Sequence, residues 1–292
     1  MPQAIKAIDV WYNYISEAKM AELLGHSEVA AATKTEHLDR KMPSNKPGDL
    51  VARMDAAGVE ITMLALMQQG HSRRMKLGQA PRMIIQNDWR DLLPYYEKYP
   101  KRFRGLYGIN PWTVMDGVRE MEKVVKEYEG FFVGAVTHTG GFAPFDDKIW
   151  FPFYAKCVEL DIPLITQCGH FAESLPEGYC HPLQIDEVAE IFPELKLIAG
   201  HTGWPWVEVL QGVVLKNSNV YFSMEAYLPR YYDPSMVKFM NTRGRDKCMW
   251  GSDWPVTEQK PNLEQVEQLG LKDQVKQMFL RDNAVRVFKL KV

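Results

Sequence analysis

The chain reads as an α/β protein, one (β/α)8 barrel over residues 1–292 with a long insertion after its first strand. Two observations predict that fold. Short β-rich runs alternate with helical stretches until eight strands have been laid down, the pattern of parallel strands joined by crossover helices. The composition, 46% hydrophobic and 12% aromatic over 292 residues, can fill the core that such a barrel needs. No internal repeat, low-complexity tract or second domain interrupts the alternation.

The elements follow in order. The first strand runs from Ile5 to Val10, and "IDVWYNY" extends it to where it meets solvent. Residues two apart on a strand share a face, so Asp9, Trp11 and Asn13 are expected to point one way and Val10, Tyr12 and Tyr14 the other. Residues 16–48 are far too many for a strand-to-helix connection and form a lid-like insertion. A helix over Asp49–Ala57 ends in "AAGVE" and passes into strand two, Val59–Leu66. A second insertion, "MQQGHSRRMKLGQAPR", carries Arg73, Arg74, Lys76 and Arg82; it is either a basic rim for substrate or solvated surface. The helix Asn87–Tyr99 leads to strand three, Phe103–Ile109, and Val114–Glu129 leads to strand four, Phe131–Thr137. Asp146–Leu160 reaches strand five, Ile162–Gln167, through "ELDIP". Ile185–Phe192 precedes strand six, Leu195–Ala199, and Trp206–Leu215 precedes strand seven, Val220–Ser223. Strand eight is Lys247–Trp250.

A formal charge of −2 leaves no electrostatic footprint for nucleic acid or a membrane surface, so a small molecule is the expected partner. No apolar run approaches the ~20 residues that cross a bilayer, and a cytoplasmic location is expected. The four cysteines show no CxxC spacing, which argues for reduced, buried thiols and against a zinc knuckle.

Polar residues gather where strands end. "LIAGHTGWPW" puts His201 and Trp204 after strand six, "MWGSDWP" puts Asp253 after strand eight, and "PLITQCGH" puts Gln167 and His170 at the end of strand five. His138 follows strand four and Glu225 follows strand seven. Barrel strand tips converge on one mouth, so residues far apart in sequence meet there. Singly, each has a plainer reading, a hydrogen-bonded loop histidine or an aspartate opening a turn before Pro255. Several independent tips bearing such groups argue for a site. Trp204, Trp206, Tyr227, Tyr231 and Trp254 crowd the same rim with Arg230, which suits a flat cyclic or aromatic carboxylate, although rings at barrel ends also serve as packing.

"FPELKLIAGHTGWPW", "NVYFSMEAYLPRYY", "CMWGSDWP" and "NAVRVFKL" resemble consecutive signature segments of the amidohydrolase-related family that includes aminocarboxymuconate-semialdehyde decarboxylase. "MDAAGVEITMLAL", "RFRGLYGINP" and "FDDKIWFPFYAKCVELDIPLITQCG" extend the likeness over nearly the whole chain. The resemblance implies a barrel holding one divalent metal on two histidines of strand one, a histidine ending strand five and an aspartate after strand eight, with a further histidine after strand six beside it. His201 matches that further histidine and Asp253 the aspartate. Trp11, Asn13 and Gln167 stand where the other three ligands belong. Zinc takes anionic or imidazole ligands in a tetrahedral set, an indole has no lone pair to give, and carboxamides bind weakly. The expectation is therefore no cofactor, with zinc the lesser alternative, helped by His170 and His138.

Three functions remain open. The first is a metal-independent hydrolase of a lactone or related cyclic ester or amide, with Asp253 as general base and His201 as its electrostatic or acid partner. Trp11, Asn13, His138, Gln167, His170, Trp204, Glu225 and Arg230 would bind the substrate, and Glu225 is the reserve base. The second is a non-oxidative decarboxylase of an aromatic or muconate-like acid. The third is a catalytically inactive barrel kept for binding. The resemblance also allows a homodimer.

Overall fold

A computed structural model describes residues 5–16, 43–70, 77–80, 83–171 and 177–292. Residues 17–42, most of the lid-like insertion, and the basic residues Arg73, Arg74, Lys76 and Arg82 lie outside the described residues.

Eight parallel strands follow one another around the sheet in chain order: β1 Ala7–Asn13, β2 Val59–Ala65, β3 Phe103–Gly108, β4 Phe132–Thr137, β5 Leu164–Gln167, β6 Leu197–Gly200, β7 Val220–Met224 and β8 Cys248–Trp250. All eight lie where the alternation of the sequence puts them. Helices α1 Pro47–Ala57, α2 Leu93–Lys98, α3 Val114–Glu127, α4 Phe151–Glu159, α5 Pro182–Ile191, α6 Val207–Lys216 and α7 Pro234–Met240 pass between consecutive strands, and α8 Gln259–Val266 follows β8. The sheet is drawn together between β8 and β1 by Asp253 N–H, which donates to the Trp11 carbonyl at 2.8 Å, and by a bridge from Tyr12 to Trp254. This is a TIM barrel. Among the described residues no helix is long and apolar enough to cross a membrane.

Local chemistry accounts for the boundaries. α1 begins at Pro47, whose fixed φ suits the first turn, and stops at Gly58, which takes φ 77° and returns its N–H to Asp55 and Met54. α3 turns Val118, Met121, Val124 and Val125 inward at helical spacing. α5 is closed by a capping box in which the His181 ring accepts from Leu183 N–H and Gln184 reaches back to the His181 N–H.

Two apolar layers hold the barrel. Ile8, Val10, Ile61, Met63, Leu106, Val136, Ile165, Ile198 and Met249 fill the interior, and Val287, Phe288 and Leu290 from the C-terminal segment join the same cluster. Outside the strands Phe103, Phe131, Phe132, Phe145, Trp150, Phe153 and Tyr154 pack against the helices. Each such side chain contributes roughly 1.5–3 kcal/mol of burial, so the scaffold tolerates a costly polar cluster at one end.

One expectation about β1 fails. Its pairing with β2 slips between Asp9 and Tyr12, and this irregularity breaks the two-residue alternation. Trp11 stays with the interior cluster, whereas Asp9 turns to the outer side, where Gln259 of α8 donates both to it and to the Thr62 hydroxyl. Asp9 and Trp11 therefore do not share a face.

Candidate active site

The site is built at the C-terminal ends of β1, β6, β7 and β8. Chain direction reverses sharply there, and His201, Thr202, Ala226 and Asp253 all adopt left-handed φ, at 61°, 60°, 70° and 57°. Such backbone is uncommon for residues with a side chain and collects where surrounding structure enforces it. The turns bring three ionisable groups into a row.

His201 occupies the middle. Its Nδ1 lies 3.1 Å from Glu225 Oε1 and its Nε2 lies 3.4 Å from Asp253 Oδ2. The backbone N–H of His201 donates to the same Glu225 oxygen at 3.0 Å, and the Ser223 hydroxyl adds a third donor at 3.1 Å. Among the described residues no donor reaches Glu225 Oε2, although the residue is fully buried. Burial works against a charged imidazole, but the Asp253 carboxylate and then that of Glu225 outweigh it and push the His201 pKa up to about 10. At neutral pH the imidazole between Asp253 and Glu225 is therefore protonated.

Two glycines make room for it. A Cβ at Gly200 would stand 2.1 Å from Glu225 Oε1, and one at Gly251 would press on the Glu225 Cβ at 3.2 Å. The "GH" and "GS" pairs of the sequence are thus spatial requirements of the carboxylate between them.

The strand-one residues complete the cluster. The Trp11 indole is fully buried and meets the His201 ring edge-on, with centroids 5.0 Å apart and planes at 69°. Its Nε1–H donates to Asn13 Oδ1 at 2.8 Å, and Asn13 Nδ2 donates to Asp253 Oδ1 at 2.7 Å. Behind the strands, Asp9 accepts from Ser252 N–H at 2.9 Å, the Ser252 hydroxyl at 2.6 Å and Gln259 Nε2 at 2.8 Å. Burial pushes its carboxyl up to about 7 against the opposing pull of these donors.

Of the expected site residues, Trp11, Asn13, His201, Glu225 and Asp253 form this one connected cluster. Gln167, His170 and Trp204 form a second group. Gln167 Nε2 donates to the His170 carbonyl at 2.9 Å, His170 N–H donates to the Trp204 carbonyl at 2.7 Å, and the two rings pack edge-on at 5.5 Å. That group ties the loops after β5 and β6 together. His138 is buried, with its ring 5.4 Å from Phe171. Arg230 is exposed and lies over the Tyr231 ring at 4.8 Å. Trp254 stacks on Tyr12 and serves as packing. Ser223 was not anticipated, although its position two residues before Glu225, on the same strand face, is the signal that finds it.

A TIM barrel with an ionisable cluster at the strand C-termini is an enzyme architecture. The chain belongs to the amidohydrolase family, whose sequence model matches residues 10–290. None of the curated proteins is significantly similar to it. Similar solved structures include an uncharacterised TIM-barrel protein from Bordetella bronchiseptica (20% identity, TM-score 0.72, covering 98% of this chain and 99% of that one). A 5-carboxyvanillate decarboxylase from Novosphingobium aromaticivorans matches with 17% identity and TM-score 0.70, over 99% and 97% of the two chains. A dihydroxybenzoic acid decarboxylase from Polaromonas matches with 16% identity and TM-score 0.68, over 98% and 97%.

The expectation of no cofactor is overturned here, because both decarboxylase structures contain bound manganese. That expectation rested on a count of this chain's own ligands, with an indole and two carboxamides in place of three imidazoles, whereas manganese accepts carboxylate, carbonyl and water oxygens. Among the described residues, however, no three His, Cys, Asp or Glu side chains are placed to hold a metal. The nearest approach is the Asp253–His201–Glu225 row, where both imidazole nitrogens already face carboxylates and no lone pair points to an ion. This arrangement does not fit a divalent ion, and no step below runs through one.

Proposed function

We propose that this amidohydrolase-family chain is a non-oxidative decarboxylase of a small aromatic carboxylate, with His201 as the proton donor. The observation that carries this reading is the seating of His201 between two carboxylates. An imidazolium held in this way is a cation beside the reacting group and an acid at neutral pH. The two similar structures that act on aromatic acids support the same reading.

The proposed step balances simply. The bond from ring carbon to carboxylate breaks, its electron pair stays on the ring carbon and takes the Nε2 proton of His201, carbon dioxide leaves, and the imidazole recovers a proton from solvent. The Nε2 contact to Asp253, at 3.4 Å, is longer than an ordinary N–H···O bond, whereas Nδ1 is held to Glu225 at 3.1 Å. Nε2 is therefore the end that gives up its proton. Asp253 and Glu225 also raise the energy of a third carboxylate brought beside them, and that stress is relieved when the substrate leaves as neutral carbon dioxide.

Lactone hydrolysis with Asp253 as general base ranks second, because one Asp253 oxygen already accepts from Asn13 and the other faces His201. The test is to give the purified protein, with and without added Mn2+, 5-carboxyvanillate, dihydroxybenzoates and a set of lactones. Release of carbon dioxide from an aromatic acid is expected. Lactone opening without carbon dioxide would replace this reading with the hydrolase, and saturable binding with no turnover would make the barrel a binding module.

A further inference from the structure

The orientation of the Asn13 amide is dictated by its neighbours. Trp11 Nε1–H can only donate, so the Asn13 atom 2.8 Å from it is the oxygen. The amide nitrogen then faces Asp253 Oδ1, where it donates at 2.7 Å. On the far side of Asp253, His201 Nε2 faces Oδ2. The result is a directed series: Trp11 donates to Asn13, Asn13 to Asp253, and His201 to Asp253 and Glu225. The backbone reinforces it, because Asp253 N–H donates to the Trp11 carbonyl at 2.8 Å. Residues 11–13 thus clamp Asp253 twice across the β8–β1 seam, once by the main chain and once by the side chain, while the indole edge sets the plane of the His201 ring.

We propose that Trp11 and Asn13 are positioning residues that hold Asp253 in register with His201, and that by saturating Asp253 Oδ1 they leave proton delivery to His201. This deepens the decarboxylase reading and rests on it for its kinetic consequence, but the positioning itself is measurable without any substrate. A hydrogen bond to a charged acceptor is worth enough to matter here, about ten-fold or more in an equilibrium or rate. Trp11→Phe keeps the ring wall and removes only the N–H. Asn13→Leu keeps the volume and removes both partners of the amide.

The experiment has two arms. In the first, the low-field imidazole N–H resonances of His201, assigned by their loss in His201→Gln, are followed by proton NMR in the wild type, Trp11→Phe and Asn13→Leu. The Nε2 proton is expected to shift or broaden in both variants, more in Asn13→Leu, while the Nδ1 proton facing Glu225 moves less. Unchanged resonances in both folded variants would overturn the proposal, whatever the reaction. In the second arm, decarboxylation of whichever aromatic acid the wild type turns over is expected to lose about ten-fold in kcat in Asn13→Leu and less in Trp11→Phe, with KM within about two-fold. A shifted spectrum with unaltered kcat would refute the positioning role, whereas absence of turnover by the wild type would sink the decarboxylase reading and leave the first arm standing.

Discussion

Two carboxylates occupy opposite sides of one seam in this barrel. Asp253 faces the mouth and Asp9 the outer layer, and Ser252, the residue before Asp253, supplies two of the donors to Asp9. Both are buried and both accept hydrogen bonds from neutral groups. The difference is a cation. Asp253 lies against the imidazole of His201, whereas among the described residues the donors to Asp9 are amide, hydroxyl and backbone groups, and burial drives its carboxyl up to about 7. The same residue type serves as a structural peg among neutral donors and as a partner of the imidazole where His201 faces it.

The sharpest way to break this comparison is to remove the cation. His201→Gln keeps a polar side chain of similar reach but cannot donate a proton, and turnover of an aromatic acid should fall by about 10²–10⁴-fold, as for loss of a general acid, with the protein still folded. Equal activity in wild type and variant would return the mouth to the structural role that Asp9 has. Asp9→Ala should do the opposite, leaving kcat nearly intact while lowering stability by about 1–3 kcal/mol through the donors it strands.

A smaller effect separates the two groups by pH. Asp9 and His201 both have folded pKa values above their unfolded ones, so each binds more protons folded than unfolded in the interval between. Their contribution is complete below the unfolded pKa and is lost as pH rises through the folded one. For Asp9 that window runs from about 4 to about 7, and for His201 from about 6.5 to about 10. Denaturant midpoints measured across pH should decline in both windows for the wild type, flatten in the lower window for Asp9→Ala and flatten in the upper one for His201→Gln. The penalty of Asp9→Ala should consequently be larger at pH 5 than at pH 8.

The strands were legible because a barrel repeats one physical pattern eight times, and their tips were legible because the topology sends them all to one mouth. Glu225 was visible as a polar tip, but its central place was not, since it depends on Gly200 and Gly251 leaving room for a side chain from a neighbouring strand. Asp9 was assigned to the wrong face because alternation assumes an unbroken register, and the slip before Tyr12 has no signature in residue type. Arg230 is read as a substrate contact from its charge, and the structure shows it exposed with its guanidinium over the Tyr231 ring. The cofactor expectation was overturned by the manganese bound in similar structures, which a count of the ligands in this chain alone does not reveal.

The most direct measurement is decarboxylation in D2O, with the product examined by NMR and mass spectrometry for the wild type and His201→Gln. One deuteron at the ring carbon vacated by carbon dioxide, formed rapidly by the wild type and barely at all by the variant, is the predicted result. Deuterated product appearing at the same rate from both proteins would contradict proton delivery by His201, and with it the account of the charged row.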